Sequence, residues 1–197
     1  MAASKGYTLA ELVAVLAILA MAVAVALPAA ATLRDGGRAA AGARMMATLL
    51  SAQRWKSVAG HRVRGLQFRK DASGWSWREV ADGNGNGLRT AEIARGIDPI
   101  LGPNETLGGQ VQNVTLGIPP GGPYPEAPPG TDQLGAGDDP VRFGRSTLVS
   151  FGPEGSASSG TIYVTDGRRG FYAVVLFGPT ARLRVWRYQL EERRWTL

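Results

Sequence analysis

Residues 12–27 contain nothing but Leu, Val, Ala, Ile and Met, and Ala29, Ala30 and Ala31 carry the run past Pro28 to about 20 residues. At ~1.5 Å per residue a helix of that length covers a hydrocarbon core of ~30 Å, so the pattern predicts a membrane-spanning helix over residues 7–31. A secretory signal peptide is also apolar, but its apolar region is ~7–15 residues long and ends at small residues where it is cut. The alanines here offer such sites, and length alone does not separate the two. The flank does: a short basic stretch, Met1-Ala-Ala-Ser-Lys5-Gly6, is followed by Tyr7-Thr8-Leu9-Ala10-Glu11. A lone carboxylate at the edge of hydrocarbon is costly, so Glu11 implies a partner in the working state.

The rest of the 197 residues suffices for one modest core, hence one globular domain over residues 60–197. The chain has no cysteine, which excludes disulfides, thiolate metal sites and cysteine nucleophiles. A net charge of +6 favours anionic partners: nucleic acid, phospholipid head groups or an acidic protein face. The 27 glycines and 12 prolines concentrate after residue 80, which predicts short strands separated by turns.

Between residues 32 and 59, Met46, Leu49, Leu50 and Gln53, with Trp55 nearby, recur at helical spacing against Arg34, Arg38, Arg44, Arg54 and Lys56. The helix is expected to continue as a stalk docked on a sheet. Gly36, Gly37 and Gly42 each cost ~1 kcal/mol relative to Ala, so a bend or local melting is expected near residues 36–42. Beyond His61 the period shifts toward two, giving candidate strands at 62–68, 75–80, 111–116, 141–151, 161–165, 171–177 and 182–190. The Pro-rich stretch 119–130 reads as an exposed loop, with a ligand for an aromatic groove as the alternative.

The stretch from Lys5 to Leu12 resembles the class III signal of type IV prepilins and type II secretion pseudopilins. The resemblance implies a leader of residues 1–6, cut by a prepilin peptidase between Gly6 and Tyr7, and N-methylation of Tyr7, which stands where phenylalanine is usual. It further implies that Glu11, fifth in the mature chain, pairs with the N-terminal ammonium of a neighbouring subunit in a filament of staggered helices. Pro28 falls where pilins carry a helix-loosening proline, which removes a backbone hydrogen bond and kinks the helix. Gly160-Thr-Ile-Tyr-Val-Thr-Asp166, Phe171-Tyr-Ala-Val-Val-Leu-Phe177 and Arg182-Leu-Arg-Val-Trp-Arg187 are similar to the head of GspH/FimT-type minor pseudopilins.

The implied fold is α+β and pilin-like, a long N-terminal membrane-spanning helix packed on a C-terminal β-rich head. The implied setting is a bacterial inner membrane, crossed once, with a periplasmic head and other pilin or pseudopilin subunits as partners. The implied function is assembly into a type IV pilus or type II secretion filament, which these residues do not tell apart. No catalytic residue is expected, since His61 is the only histidine and has no ligand or triad partners at suitable spacing.

Two further patterns invite chemistry. Asp82-Gly-Asn84-Gly-Asn86-Gly-Leu88 has the start of a calcium loop, with Asp82, Asn84, Asn86 and the Leu88 carbonyl as candidate ligands. Its twelfth position is Ile93, and Glu92 comes one residue early, so plain β-turns are the competing reading and no other cofactor is expected. At the C-terminus, Arg182, Arg184, Trp186 and Tyr188 share one face of an extended strand, opposite Leu183 and Val185. With Arg168, Arg169 and Arg187 nearby in sequence, they suit a phosphate backbone and stacked bases, so DNA is a candidate partner. The competing reading is that Trp186 and Tyr188 pack on the stalk helix while the arginines form a solvated edge. DNA-uptake members of the resembled subfamily carry Gly-Arg-x-Arg here, where this chain has Ala181-Arg182-Leu183-Arg184.

Overall fold

The computed structural model describes residues 8–197, the side chains of residues 25–36 excepted. The elements run α1 (Leu9–Ala59), β1 (Arg64–Asp71), β2 (Gly74–Ala81), α2 (Thr90–Ala94), β3 (Glu105–Thr106), α3 (Leu107–Gln110), β4 (Thr115–Leu116), β5 (Tyr124–Pro125) and β6 (Gln133–Leu134). They continue with β7 (Val141–Arg142), β8 (Leu148–Phe151), β9 (Gly160–Thr165), β10 (Phe171–Phe177), a 3-10 turn (Gly178–Thr180), β11 (Arg182–Gln189) and β12 (Arg194–Thr196). The chain divides into two compact units, Met1–Asp35 and Gly36–Leu197.

α1 begins in a capping box. Glu11 N–H donates to Thr8 Oγ1 (3.3 Å), while Glu11 Oε2 accepts the Thr8 N–H (2.9 Å), which satisfies amides that a helix start leaves orphaned. The helix ends where His61 takes the left-handed region (φ 45°) and Arg62 N–H folds back onto Ser57 O at 3.2 Å. Among the described residues, no helix is long and apolar enough to cross a membrane. This overturns the expected membrane-spanning helix. From Gly37 onward α1 carries Arg38, Arg44, Arg54 and Lys56, which do not fit hydrocarbon.

Residues 37–59 instead form an amphipathic helix. Ala39, Ala43, Met46, Leu50, Gln53 and Ser57 recur at spacings of four and three and are all buried. α1 stays helical through residues 36–42, so the local melting expected there is absent. Gly42 is buried, and a Cβ there would stand 2.8 Å from Val114 Cγ1, so glycine serves close approach rather than bending. Trp55, expected beside the apolar stripe, points away from it and is 70% exposed.

Two sheets flank this helix. One has the order β3-β2-β1-β8, the other β12-β11-β10-β9-β4 with β7 also on β9, and a separate β5-β6 pair stands beside them. One core joins Met46 and Leu50 to Leu66, Phe68 and Trp77 of the first sheet and to Ile162, Val164, Val174 and Leu176 of the second. The expected strand 141–151 is two strands, β7 and β8, because the chain turns at Gly144 (φ 61°) and Phe143 bridges to Ser146. Likewise 111–116 shortens to β4, preceded by the single-turn helix α3.

The second sheet also has an outer core. Tyr163, Phe171, Ala173, Val175 and Tyr188 are covered by Ile118, Tyr124, Ala127 and Leu134. The Pro-rich segment 119–130 is exposed at residues 120–123, 128 and 129, as expected of a loop, and is pinned as a lid by buried Pro119, Tyr124 and Ala127. Its lack of amide donors suits this: few backbone groups need satisfying where it is buried.

Candidate functional site

The sequence points to three places, and the structure treats them differently. At the helix start, Gly6 and Tyr7 lie outside the described residues, as does the side chain of Pro28. Glu11 is described. Its Oε2 takes both the backbone N–H and the hydroxyl of Thr8 (2.9 and 3.0 Å), and these bonds hold its carboxyl below the usual range. Oε1 accepts nothing from any described residue. Around it, large apolar side chains are exposed on every side of the helix, from Leu12, Val13, Val15 and Leu16 through Ile18 and Leu19 to Met21 and Val23.

The Asp82 loop is closed by its own hydrogen bonds. Asp82 Oδ1 accepts the N–H groups of Asn84 and Gly85 (3.0 and 2.7 Å), and Oδ2 accepts that of Gly87 (2.7 Å). Burial pushes this carboxyl up, but the amide bonds outweigh it and leave it below the usual range. Asn84 and Asn86 each donate an amide hydrogen to Glu92, at 3.1 and 3.0 Å. Buried Asp98 braces the far side, accepting from Gly83 N–H (2.9 Å) and Arg89 N–H (3.0 Å). Leu88 packs beside Val80, Ile93 and Leu148. Among the described residues no group of three His, Cys, Asp or Glu side chains is arranged to hold a metal ion.

The third place, the basic strand, borders a groove. β11 pairs antiparallel with β10, Phe177 opposite Arg182 and Tyr172 opposite Arg187. Leu183 and Val185 pack toward the helix-side core, so Arg182, Arg184, Trp186 and Tyr188 lie on the outer face, as the alternation predicts. That face is not uniformly solvated. Tyr188 is buried among Tyr124, Phe171 and Trp195, with ring centroids 5.3, 5.8 and 5.1 Å away. Trp195 Nε1 donates to Pro125 O (2.8 Å), and Tyr163 Oη accepts Ala127 N–H (3.1 Å), tying the lid down. Burial pushes the Tyr163 phenol well above its ordinary value.

Where the lid stops, a cavity of ≈ 680 Å³ opens, lined by Trp186, Val175, Phe177, Pro128, Pro129, Arg182 and Arg184. Its carboxylate, Glu126, is paired with Arg142 at 3.2 Å. Arg182 and Arg184 have no carboxylate partner among the described residues.

The structure splits the six residues suggested for DNA. Arg182, Arg184 and Trp186 share the groove, whereas Arg187 alternates to the opposite face. Arg168 and Arg169 sit in the β9–β10 turn, beyond the Arg187 end of the sheet, more than about 15 Å along the strand from Arg182. Trp186 and Tyr188 do not pack on α1 either, because the lid claims their face. Ala181, where the resembled subfamily has glycine, takes the left-handed conformation (φ 48°, ψ 32°) at the end of the 3-10 turn. That conformation costs an L side chain roughly 1–2 kcal/mol.

Comparisons with protein families, with curated proteins and with solved structures find no match to this chain. Sequence reasoning passed over Thr8, although Thr8-x-x-Glu11 is a capping-box pattern. It also passed over Pro128 and Pro129, whose wall depends on a lid with no periodic signal.

Proposed function

We propose that this chain is a minor pilin-like subunit that works by assembly, packing the N-terminal stretch of α1 against the same stretch of neighbouring subunits. The observation that carries this reading is the exposure of Leu12, Val13, Leu16, Ile18 and Leu19 on all faces of one helix. A helix apolar all round is stable only when surrounded by apolar material, and parallel copies supply it symmetrically. Oε1 of Glu11, which accepts from no described residue, gives each copy one acceptor for a neighbour's N-terminal ammonium while Oε2 keeps the helix capped. Glycine before an aromatic residue, Gly6-Tyr7, supports the processing that would create that ammonium.

Glu11 has two roles here, and two substitutions separate them. Glu11→Gln keeps a side chain able to cap Thr8 but loses the charge, whereas Glu11→Ala loses both. Expressed beside wild-type subunits, both variants should enter filaments at least about tenfold less often, the scale of losing one buried ion pair. Wild-type incorporation of Glu11→Gln with failure of Glu11→Ala would reduce Glu11 to a cap.

A further inference from the structure

β11 is paired along its whole length with β10, but β12 covers only its Arg187, Tyr188 and Gln189. The outer edge of residues 182–186 has no backbone partner among the described residues. Open edges are usually blunted by charge, and Arg182 and Arg184 do discourage pairing with a second copy, because like charges opposite one another destabilise a ladder. The same two arginines favour an acidic strand. Their charge is uncompensated, since Glu126 is taken by Arg142. The groove bounded by Trp186 and Pro129 starts at β11 and runs inward over Val175 of β10 and Thr161 of β9, on the face that Arg182 and Arg184 occupy.

We propose that residues 182–186 are a β-addition site for an extended acidic segment of a partner protein. The partner's backbone continues the sheet outward from β11. Its groove-face side chains alternate along the strand: carboxylates meet Arg182 and Arg184, and an apolar or aromatic side chain enters the groove against Trp186. Backbone bonds supply affinity and the alternating pockets supply selectivity. The site is independent of how α1 assembles, and two phosphate-facing arginines are a small footprint for duplex DNA.

The test uses the full chain in neutral detergent with the capped peptide Thr-Phe-Thr-Glu-Thr-Glu-Thr as probe, which in an antiparallel pairing sets Phe opposite Trp186 and the two Glu opposite Arg184 and Arg182. Saturating peptide should slow hydrogen exchange at the outward amides of residues 182–186 at least about tenfold, while β1 and β2 stay unchanged. N-methylation of the peptide amides that face β11 should abolish this protection. R182E/R184E should bind the peptide about tenfold more weakly, two lost cross-strand ion pairs, and a peptide with Lys in place of Glu should recover that loss. The proposal is overturned if the peptide gives no protection, if the methylated peptide binds equally well, or if a short DNA duplex protects these amides where the peptide does not.

Discussion

The two halves of α1 share one backbone helix and have opposite surfaces. Residues 9–24 are apolar on every face and exposed, with side chains as large as Leu and Met turned outward. Residues 37–59 confine their apolar groups to a stripe, and small residues in it, Ala39 and Gly42, let Gly170, Leu107, Val114 and Val164 come close. The contrast teaches that a helix's apolar pattern says where its partner is. A stripe is answered within the chain, by the core under Met46 and Leu50, and the all-round surface is answered by no described residue.

The largest effect should come from Leu50→Ala, which empties a fully buried site and should cost the head about 2–5 kcal/mol. Leu16→Ala removes the same atoms from the other half and should leave head unfolding unchanged within ~0.5 kcal/mol. Fluorescence of buried Trp77 during urea unfolding reports the difference, and equal losses would erase the distinction between the halves.

Acid should act on the halves through different carboxylates. Asp82 and Glu11 are both held below the ordinary range by hydrogen bonds to their charged forms. A depressed carboxyl contributes stability that is fully present above its unfolded value, ~4, and is lost as pH falls through the folded value. Head stability should thus fall below about pH 4 through Asp82, and Asp82→Ala should cost the head about 2–3 kcal/mol at neutral pH by stranding three amides. In that variant the acid-dependent loss should be smaller; an unchanged acid profile would remove Asp82 as its source.

The smallest effect is a pair of glycines. Gly37 has nothing within 4 Å of an added Cβ, so Gly37→Ala should stabilise by up to about 1 kcal/mol. At Gly42 the same methyl meets Val114, Leu107 and Val164, and overpacking should outweigh the helix gain, for a net loss of about 1 kcal/mol. Thermal unfolding of both variants checks the opposite signs.

Long periodic elements were legible in the sequence: β10 spans the expected 171–177, and the stripe through Met46, Leu50 and Gln53 is where the spacing put it. The membrane span was not sustained: among the described residues no helix is long and apolar enough to cross a membrane, and the second half of α1 is charged. Two-residue strands such as β5 and β6 carry too little period to be seen, so the lid over Tyr163 and Phe171 was missed. The basic cluster misled for a different reason. Arg168, Arg169 and Arg187 are close to Arg182 in sequence or composition, but hairpin topology and strand alternation separate them. The groove itself required knowing what the lid leaves uncovered beside Trp186.

The central claim is that residues 9–24 pack among copies of themselves. Because the chain has no native cysteine, single-cysteine variants along this stretch report helix–helix contact without background. Cysteines placed in turn at Leu12, Val13, Val15 and Ile18 of the full chain, oxidised in intact cells, should give disulfide-linked dimers at positions on more than one helix face, and a cysteine at exposed Trp55 should not. Absence of crosslinks at all four N-terminal positions, with the variants expressed and folded, would contradict the account.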